Sequence, residues 1–214
     1  MKVLARFFLI IALVVPGTNS FSQIFKPLPK GLGIEIGGGQ NNLFWSAHPG
    51  IETIGAGPID RTQLVLTPNI RINYIIQLNS IFTAMVFTGY NRFGGSSNFE
   101  DGHQSKYYFN AIECGSFFLF SISNFRIGIG LKANYHLNVQ FDFNTSSYTY
   151  NENRSDWFKN WSGNAGIRSM YVLLPFSISL EVWLGLNDLR NTHIILPGGV
   201  IRENHFRLLF GYIL

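Results

Sequence analysis

From Phe125 to Phe141 every odd position is apolar: Phe125, Ile127, Ile129, Leu131, Ala133, Tyr135, Leu137, Val139 and Phe141. Every even position between them is glycine, polar or basic. A period of two marks a strand with two unlike faces. Its 17 residues exceed the five or six of an ordinary globular strand. The face with Arg126 and Lys132 is incompatible with hydrocarbon, where a basic side chain at mid-membrane costs about 2 to 4 kcal/mol. The pattern therefore predicts a tilted membrane-crossing strand with its apolar odd face toward lipid and its polar face toward a lumen.

The same alternation recurs. In Gln63 to Ile76 the even positions are apolar around Arg71, and Pro68, which lacks a ladder donor, is the weak point. Phe176 to Asn187 sets Phe176, Ile178, Leu180, Val182 and Leu184 against a face with Glu181 and Trp183. His205 to Leu214 alternates Phe206, Leu208, Phe210, Tyr212 and Leu214 against Arg207. Leu32 to Leu43, Ser80 to Tyr90, Lys106 to Phe120 and Trp161 to Leu174 complete eight expected strands, the parity of Ser80 to Tyr90 being open.

The links between these segments alternate in length. Those at Gln77–Asn79, Ser121–Asn124 and around Pro175 are short; those over Phe44–Thr62, Asn91–Ser105, Asp142–Asn160 and Asp188–Asn204 are long and polar. Short inner turns, long outer loops and an even strand count describe an outer-membrane barrel, and a soluble sandwich has no reason to sort its loops this way. The expected fold is all-β: an eight-stranded antiparallel up-and-down transmembrane β-barrel of the OmpA/OmpX-like size class.

The N-terminus and composition agree. Lys2 and Arg6, an apolar run from Phe7 to Val15 and the small residues Ser20 and Ser22 read as a secretory signal over residues 1–22. A periplasmic tail over 23–30 and a barrel domain over 31–214 follow. Only 13% of the 214 residues are charged, about half the usual share. Cleavage before Gln23 leaves 14 bases against 12 acids, a net +2, since the signal removes two of the 16 bases; that is no nucleic-acid footprint. The single cysteine, Cys114, rules out an internal disulfide and is expected on the lipid face.

The charges assigned to the inward faces are the candidate site. Glu35, Arg71, Glu113, Lys132, Arg168, Glu181 and Arg207 all stand four to eight residues from the inner end of their strands. They are expected to form one layer with acids beside bases: Arg207 with Glu35 and Glu181, Glu35 with Arg71, Glu113 with Lys132, Arg168 with Glu181. An eight-stranded barrel is only wide enough for side chains to fill, and buried charges must pair. The layer reads as a salt-bridged plug that stiffens the wall; a proton or ion path is the alternative.

Other motifs carry less. Gly31 to Gly39 lacks the third glycine of a dinucleotide loop, Ile36 standing in its place. These glycines instead suit a lumen with bulky neighbours such as Trp183. His48, His103 and His193 fall in separate loops, His136 and His205 in the upper lumen, and none has metal-site spacing. The outward serines Ser116 and Ser169 have no outward histidine partner, so a lipid A-modifying enzyme is only a further alternative. No catalytic, cofactor-binding or metal-binding residue is assigned. The longest loop, Asp142–Asn160, mixes Tyr148, Tyr150, Trp157 and Phe158 with polar residues, a binding-surface composition; interface anchoring by Trp157 and Trp161 is the alternative.

The segments "KYYFNAIECGSFFLF", "FRIGIGLKANY", "WSGNAGIRSMYVLLPFSISLEVWLGLNDLRN" and "FRLLFGYIL", in this order after a signal ending in "SFSQ", resemble the PorT-like outer-membrane β-barrel domain family. Ile112 to Ser116 replaces that family's usual fourth-strand proline, and the chain ends in Leu214 rather than an aromatic. The resemblance implies an outer-membrane barrel, some relatives assisting type IX secretion. The expected role is a structural or interaction scaffold, with outer-membrane lipid, lipopolysaccharide and, through the outer loops, other envelope proteins as partners. It transfers no catalytic residue.

Overall fold

A computed structural model describes residues 30–46, 65–98, 104–144, 149–191 and 200–214. The expected signal, His48, His103 and His193 lie outside the described residues. The strands are β1 (Gly31–Ser46), β2 (Val65–Gln77), β3 (Phe82–Asn98), β4 (Gln104–Ile122), β5 (Phe125–Asn144), β6 (Thr149–Asn153), β7 (Trp161–Leu173), β8 (Phe176–Gly185) and β9 (Val200–Ile213). All pairings are antiparallel. The β4–β5 ladder closes β1 to β5 and β7 to β9 into a ring of eight, and β6 is an extra strand on the outer half of β5.

Register fixes the dimensions. A row of paired residues leaves β2 at Gln77 and passes Thr83, Leu119, Gly128, Arg168, Glu181, Arg207 and Gly39 before returning to β2 at Thr67. The row has climbed ten residues, 77 − 67. With a rise of about 3.3 Å and a strand spacing of about 4.8 Å, the strands tilt by roughly 40° and the backbone radius is about 8 Å. Such a tube holds side chains and little else.

Alternation sorts as the sequence requires over the turn-side part of each strand. Ile34, Ile70, Ile129, Ile167, Phe210 and their neighbours point outward and are exposed. The open parity of the third segment resolves with odd residues inward: Thr83, Met85 and Phe87 are buried, Val86 and Thr88 exposed. Pro68 still pairs with Gly38 of β1, but the β2–β3 ladder stops at Asn69. The missing N–H falls where β3 no longer needs a partner.

Three expectations are corrected. The alternation of Phe125 to Phe141 is not one face throughout. Asn110 pairs with Asn138 but Ala111 with His136, so Leu137 is an extra residue in a bulge. A bulge shifts the following side chains to the other face, and Val139 and Phe141 are buried inside. Second, most of the expected Asn91–Ser105 loop is strand, since β3 reaches Asn98 and β4 starts at Gln104; β9 likewise starts at Val200, and the Asp142–Asn160 segment contains β6 and a 3-10 turn over Ser155–Trp157. Toward the loops both faces of these strands carry polar residues, so the ladder continues where the alternation signal fades. Third, the room for Trp183 comes from Gly166, not from the β1 glycines. A Cβ on Gly166 would lie 2.4 Å from Trp183 Cε3.

Candidate functional site

The lumen is stacked in three layers. Toward the short turns lies an apolar layer of Ile75, Met85, Phe87, Phe117, Leu119, Met170, Val172, Trp183 and Ile213. Two glycines opposite aromatics on neighbouring strands give it density: Phe87 faces Gly115, Phe117 faces Gly130, as Trp183 faces Gly166. Toward the loops lies a second apolar layer that includes Leu43, Phe93, Phe109, Ala111, Val139 and Ile201.

Between them is the charged layer, and it contains all seven residues expected there, none more than 4% exposed. They form two networks. In the first, Arg71 Nε donates to Glu35 Oε2 at 2.6 Å and its Nη atoms to Glu181. Arg168 bridges the same two carboxylates, and Trp183 Nε1 donates to Glu181 Oε2 at 2.8 Å. In the second, Glu113 accepts from Lys132 Nζ at 3.1 Å, Arg207 Nη1 at 2.8 Å and Asn69 Nδ2 at 2.8 Å. The cations also rest on aromatic rings below: Arg71 over Phe87 at 4.5 Å, Lys132 over Trp183 at 4.9 Å and Arg168 over Phe117 at 5.5 Å.

The expected pairs Glu35–Arg71, Glu113–Lys132 and Arg168–Glu181 are present. Arg207 does not pair with Glu35 or Glu181. Register sets it opposite Gly39, four residues from Glu35, and the Glu181 carboxylate is already held by two arginines and Trp183. With a radius of about 8 Å, the guanidinium reaches Glu113 on another wall instead. Several pairs thus cross the lumen rather than running along the sheet.

Sequence reading missed Glu203, assigned to a loop. It is 1% exposed and its Oε1 accepts from Asn134 Nδ2 and Ser162 Oγ, both at 2.7 Å, and from Asn164 Nδ2. It corrects the charge count: three acids and four bases in the expected layer become four and four. The available signal was the inward run Ile201, Glu203, His205, Arg207, hidden because the outward Arg202 and Asn204 are polar too. Arg126 faces inward as expected, near the β4–β5 turn, donating to the Phe125 carbonyl at 2.8 Å.

His136 links this layer to the outer end. Its Nε2 meets Ser162 Oγ at 3.1 Å and its Nδ1 the Lys159 carbonyl at 2.6 Å, while its N–H donates to the Asn160 carbonyl. The segment so held inserts Phe158, 2% exposed, into the upper apolar layer beside Leu189 of the next loop. Lys159 N–H donates to the Leu189 carbonyl at 2.7 Å, and Asn191 N–H to the Trp157 carbonyl at 2.9 Å. Trp157 packs on this stopper under Arg154, at 3.9 Å, rather than anchoring in lipid; Trp161 is outward and exposed. Cys114 is exposed on the outer wall, and no cluster of metal-ligating side chains occurs among the described residues.

No protein-family profile and no curated protein matches the chain. Among solved structures it is similar to Ail, the attachment invasion locus protein of Yersinia pestis, in complex with the heparin analogue sucrose octasulfate, at 12% identity and TM-score 0.48 over 87% of this chain and all of that one. Neisserial surface protein A is similar at 10% identity and TM-score 0.47 over 86% of this chain and 97% of its own. The outer membrane protein OprG from Pseudomonas aeruginosa is similar at 11% identity and TM-score 0.35, again over 86% and 97%.

Proposed function

We propose that the chain is an outer-membrane β-barrel acting as a structural and interaction scaffold, with a sealed lumen and with its outer loops and the β6 edge turned to envelope partners. The observation that carries the membrane reading is the outer wall. It is a continuous apolar belt, bounded near the turns by Tyr74, Tyr171 and Tyr212 and near the loops by Tyr90, Tyr135 and Trp161. Apolar bands flanked by aromatics fit a bilayer with two interfaces. Closure leaves no backbone edge within the band.

The lumen supports a scaffold over a channel, because the charged layer is neutralised and packed between two apolar layers. The serine–histidine contact supports a non-enzymatic role: Ser162 is 1% exposed and its hydroxyl is committed to Glu203. Assistance to a type IX-like secretion system is the finer expectation that the PorT-like resemblance supplies.

Density fractionation of cells expressing the full chain should put it with outer membranes, migrating faster on a gel before heating than after. Recovery with inner membranes or the soluble fraction would end this reading. For the scaffold role, Tyr150, 46% exposed on β6, is the probe. Tyr150→Ala should reduce recovery of the cross-linked envelope partner, and unchanged recovery would count against a role for this edge.

A further inference from the structure

Outward-facing charges on the described barrel strands are sorted to one end. They are Arg92 on β3, Lys106 on β4, Asp142 on β5 and Arg202 on β9, and each lies on the loop side of the apolar belt. Three of the four are cations. Arg92 stands two residues beyond Tyr90, about 5 Å further from the membrane centre at the strand tilt derived above. Its guanidinium lies over the Tyr108 ring at 4.3 Å.

Arg92 and Lys106 have no ion-pair partner among the described residues. Arg92 Nε is buried without a hydrogen-bond acceptor. Asp142 faces Lys106 in register, yet its Oδ1 is occupied by Asn151 Nδ2 at 2.7 Å. Beside them runs a line of neutral polar groups across three strands: Tyr90 Oη donates to Asn110 Oδ1, and Asn110 Nδ2 to Asn138 Oδ1, each at 2.5 Å. Gln140 and Tyr108 lie next along their strands.

Unpaired cations on the lipid-facing wall just above the hydrocarbon edge face whatever headgroups fill the outer leaflet. A guanidinium offers paired donors that match a phosphate. Lys106 lies four residues beyond Asn110 on β4, about 10 Å further out. That separation is more than one glycerol-linked phosphate spans, and amide and phenol groups fill it. We propose that the outward face of β3, β4 and β5 above the belt binds the phosphorylated saccharide headgroup of an outer-leaflet glycolipid, with Arg92 taking a phosphate at the hydrocarbon edge, Lys106 an anionic group further out, and Asn110, Asn138 and Gln140 the sugar hydroxyls between them. This deepens the outer-membrane reading and rests on it.

The test uses the full mature chain in nanodiscs with bisphosphorylated lipid A, lipid A stripped of its phosphates, or phosphatidylglycerol, with bound lipid counted by native mass spectrometry. Phosphorylated lipid A should be retained about tenfold or more over the other two. Arg92→Gln with Lys106→Gln should remove that preference, each lost charge-assisted contact being worth about a factor of ten, while Arg202→Gln on the far wall should leave it intact. Equal retention of all three lipids, or a double variant that binds as the parent does, would overturn the proposal. Heat-dependent gel migration reports separately that the barrel is folded, and fractionation reports whether it reaches the outer membrane. A folded, correctly located barrel without lipid preference therefore refutes the site and leaves the scaffold reading standing.

Discussion

At the scale of single residues, Glu203 is a group whose loss the lumen tolerates poorly. Three neutral donors converge on its Oε1, and it equalises acids and bases in the middle layer. Glu203→Ala leaves those donors and one lumen cation uncompensated, a loss of about 3 to 5 kcal/mol for a buried ionic group. Glu203→Gln keeps an oxygen for the donors and should cost clearly less. Urea unfolding followed by tryptophan fluorescence measures both, and equal midpoints for parent and Glu203→Ala would show that the carboxylate is not structural. Gly166→Ala is the steric counterpart. Its Cβ would sit 2.6 Å from the Val182 carbonyl oxygen and closer still to Trp183, and overpacking of this kind costs about 1 to 3 kcal/mol. The seven lumen charges were readable from the sequence because strand parity alone puts a residue inside or outside. The pairs between neighbouring strands, Glu35–Arg71, Glu113–Lys132 and Arg168–Glu181, were readable too; the cross-lumen pairs were not, since Arg207 and Glu113 meet across a tube whose radius and stagger depend on the register of all eight strands at once.

At the scale of elements, β5 shows where pattern reading fails. Phe125 to Phe141 looks like one uninterrupted apolar face, yet the bulge at Leu137 turns Val139 and Phe141 inward to pack with Tyr107, 4.7 Å from the Phe141 ring centroid, and the stopper. The extra residue leaves no mark in the sequence because the odd positions are apolar on both sides of it, outward up to Leu137 and inward from Val139. Deleting Leu137 would join His136 to Asn138 in a regular ladder and should leave Val139 and Phe141 inside, whereas inserting one residue between Asn138 and Val139 should turn both out of the lumen, stripping the upper apolar layer of two members. The expected outcome of the insertion is a barrel still folded in its turn-side half, by heat-dependent migration, but cut by added protease within 142–160. Protease resistance equal to the parent would mean the bulge does not set the facing of the outer half. The β3–β4 hairpin makes a related point. Its outer section reads as a loop in the sequence because Gly, Ser and Asn dominate it, whereas the ladder runs on to Asn98 and Gln104.

At the scale of the whole molecule, the layering decides whether the barrel conducts. A through-path would have to cross the stopper of Phe158 and Leu189, then the two ion-pair networks, then the layer built on Phe87, Phe117 and Trp183. Each alone should exclude ions, two because they are apolar and packed, the third because its charges are held in ion pairs and moving one strands its partners. The barriers act in series, so opening one leaves the others closed. The parent reconstituted in a planar bilayer should show a flat current, and so should Phe158→Ala with Leu189→Ala, even though that variant loses the outer stopper. Conductance should appear only when all three layers are breached together, as in Phe158→Ala and Leu189→Ala combined with Glu181→Ala and Trp183→Ala. Discrete current steps from the parent would reinstate the narrow channel. Steps from the stopper variant alone would show that the inner two layers leak, and the neutralised ring would then have to be read as a path rather than a brace.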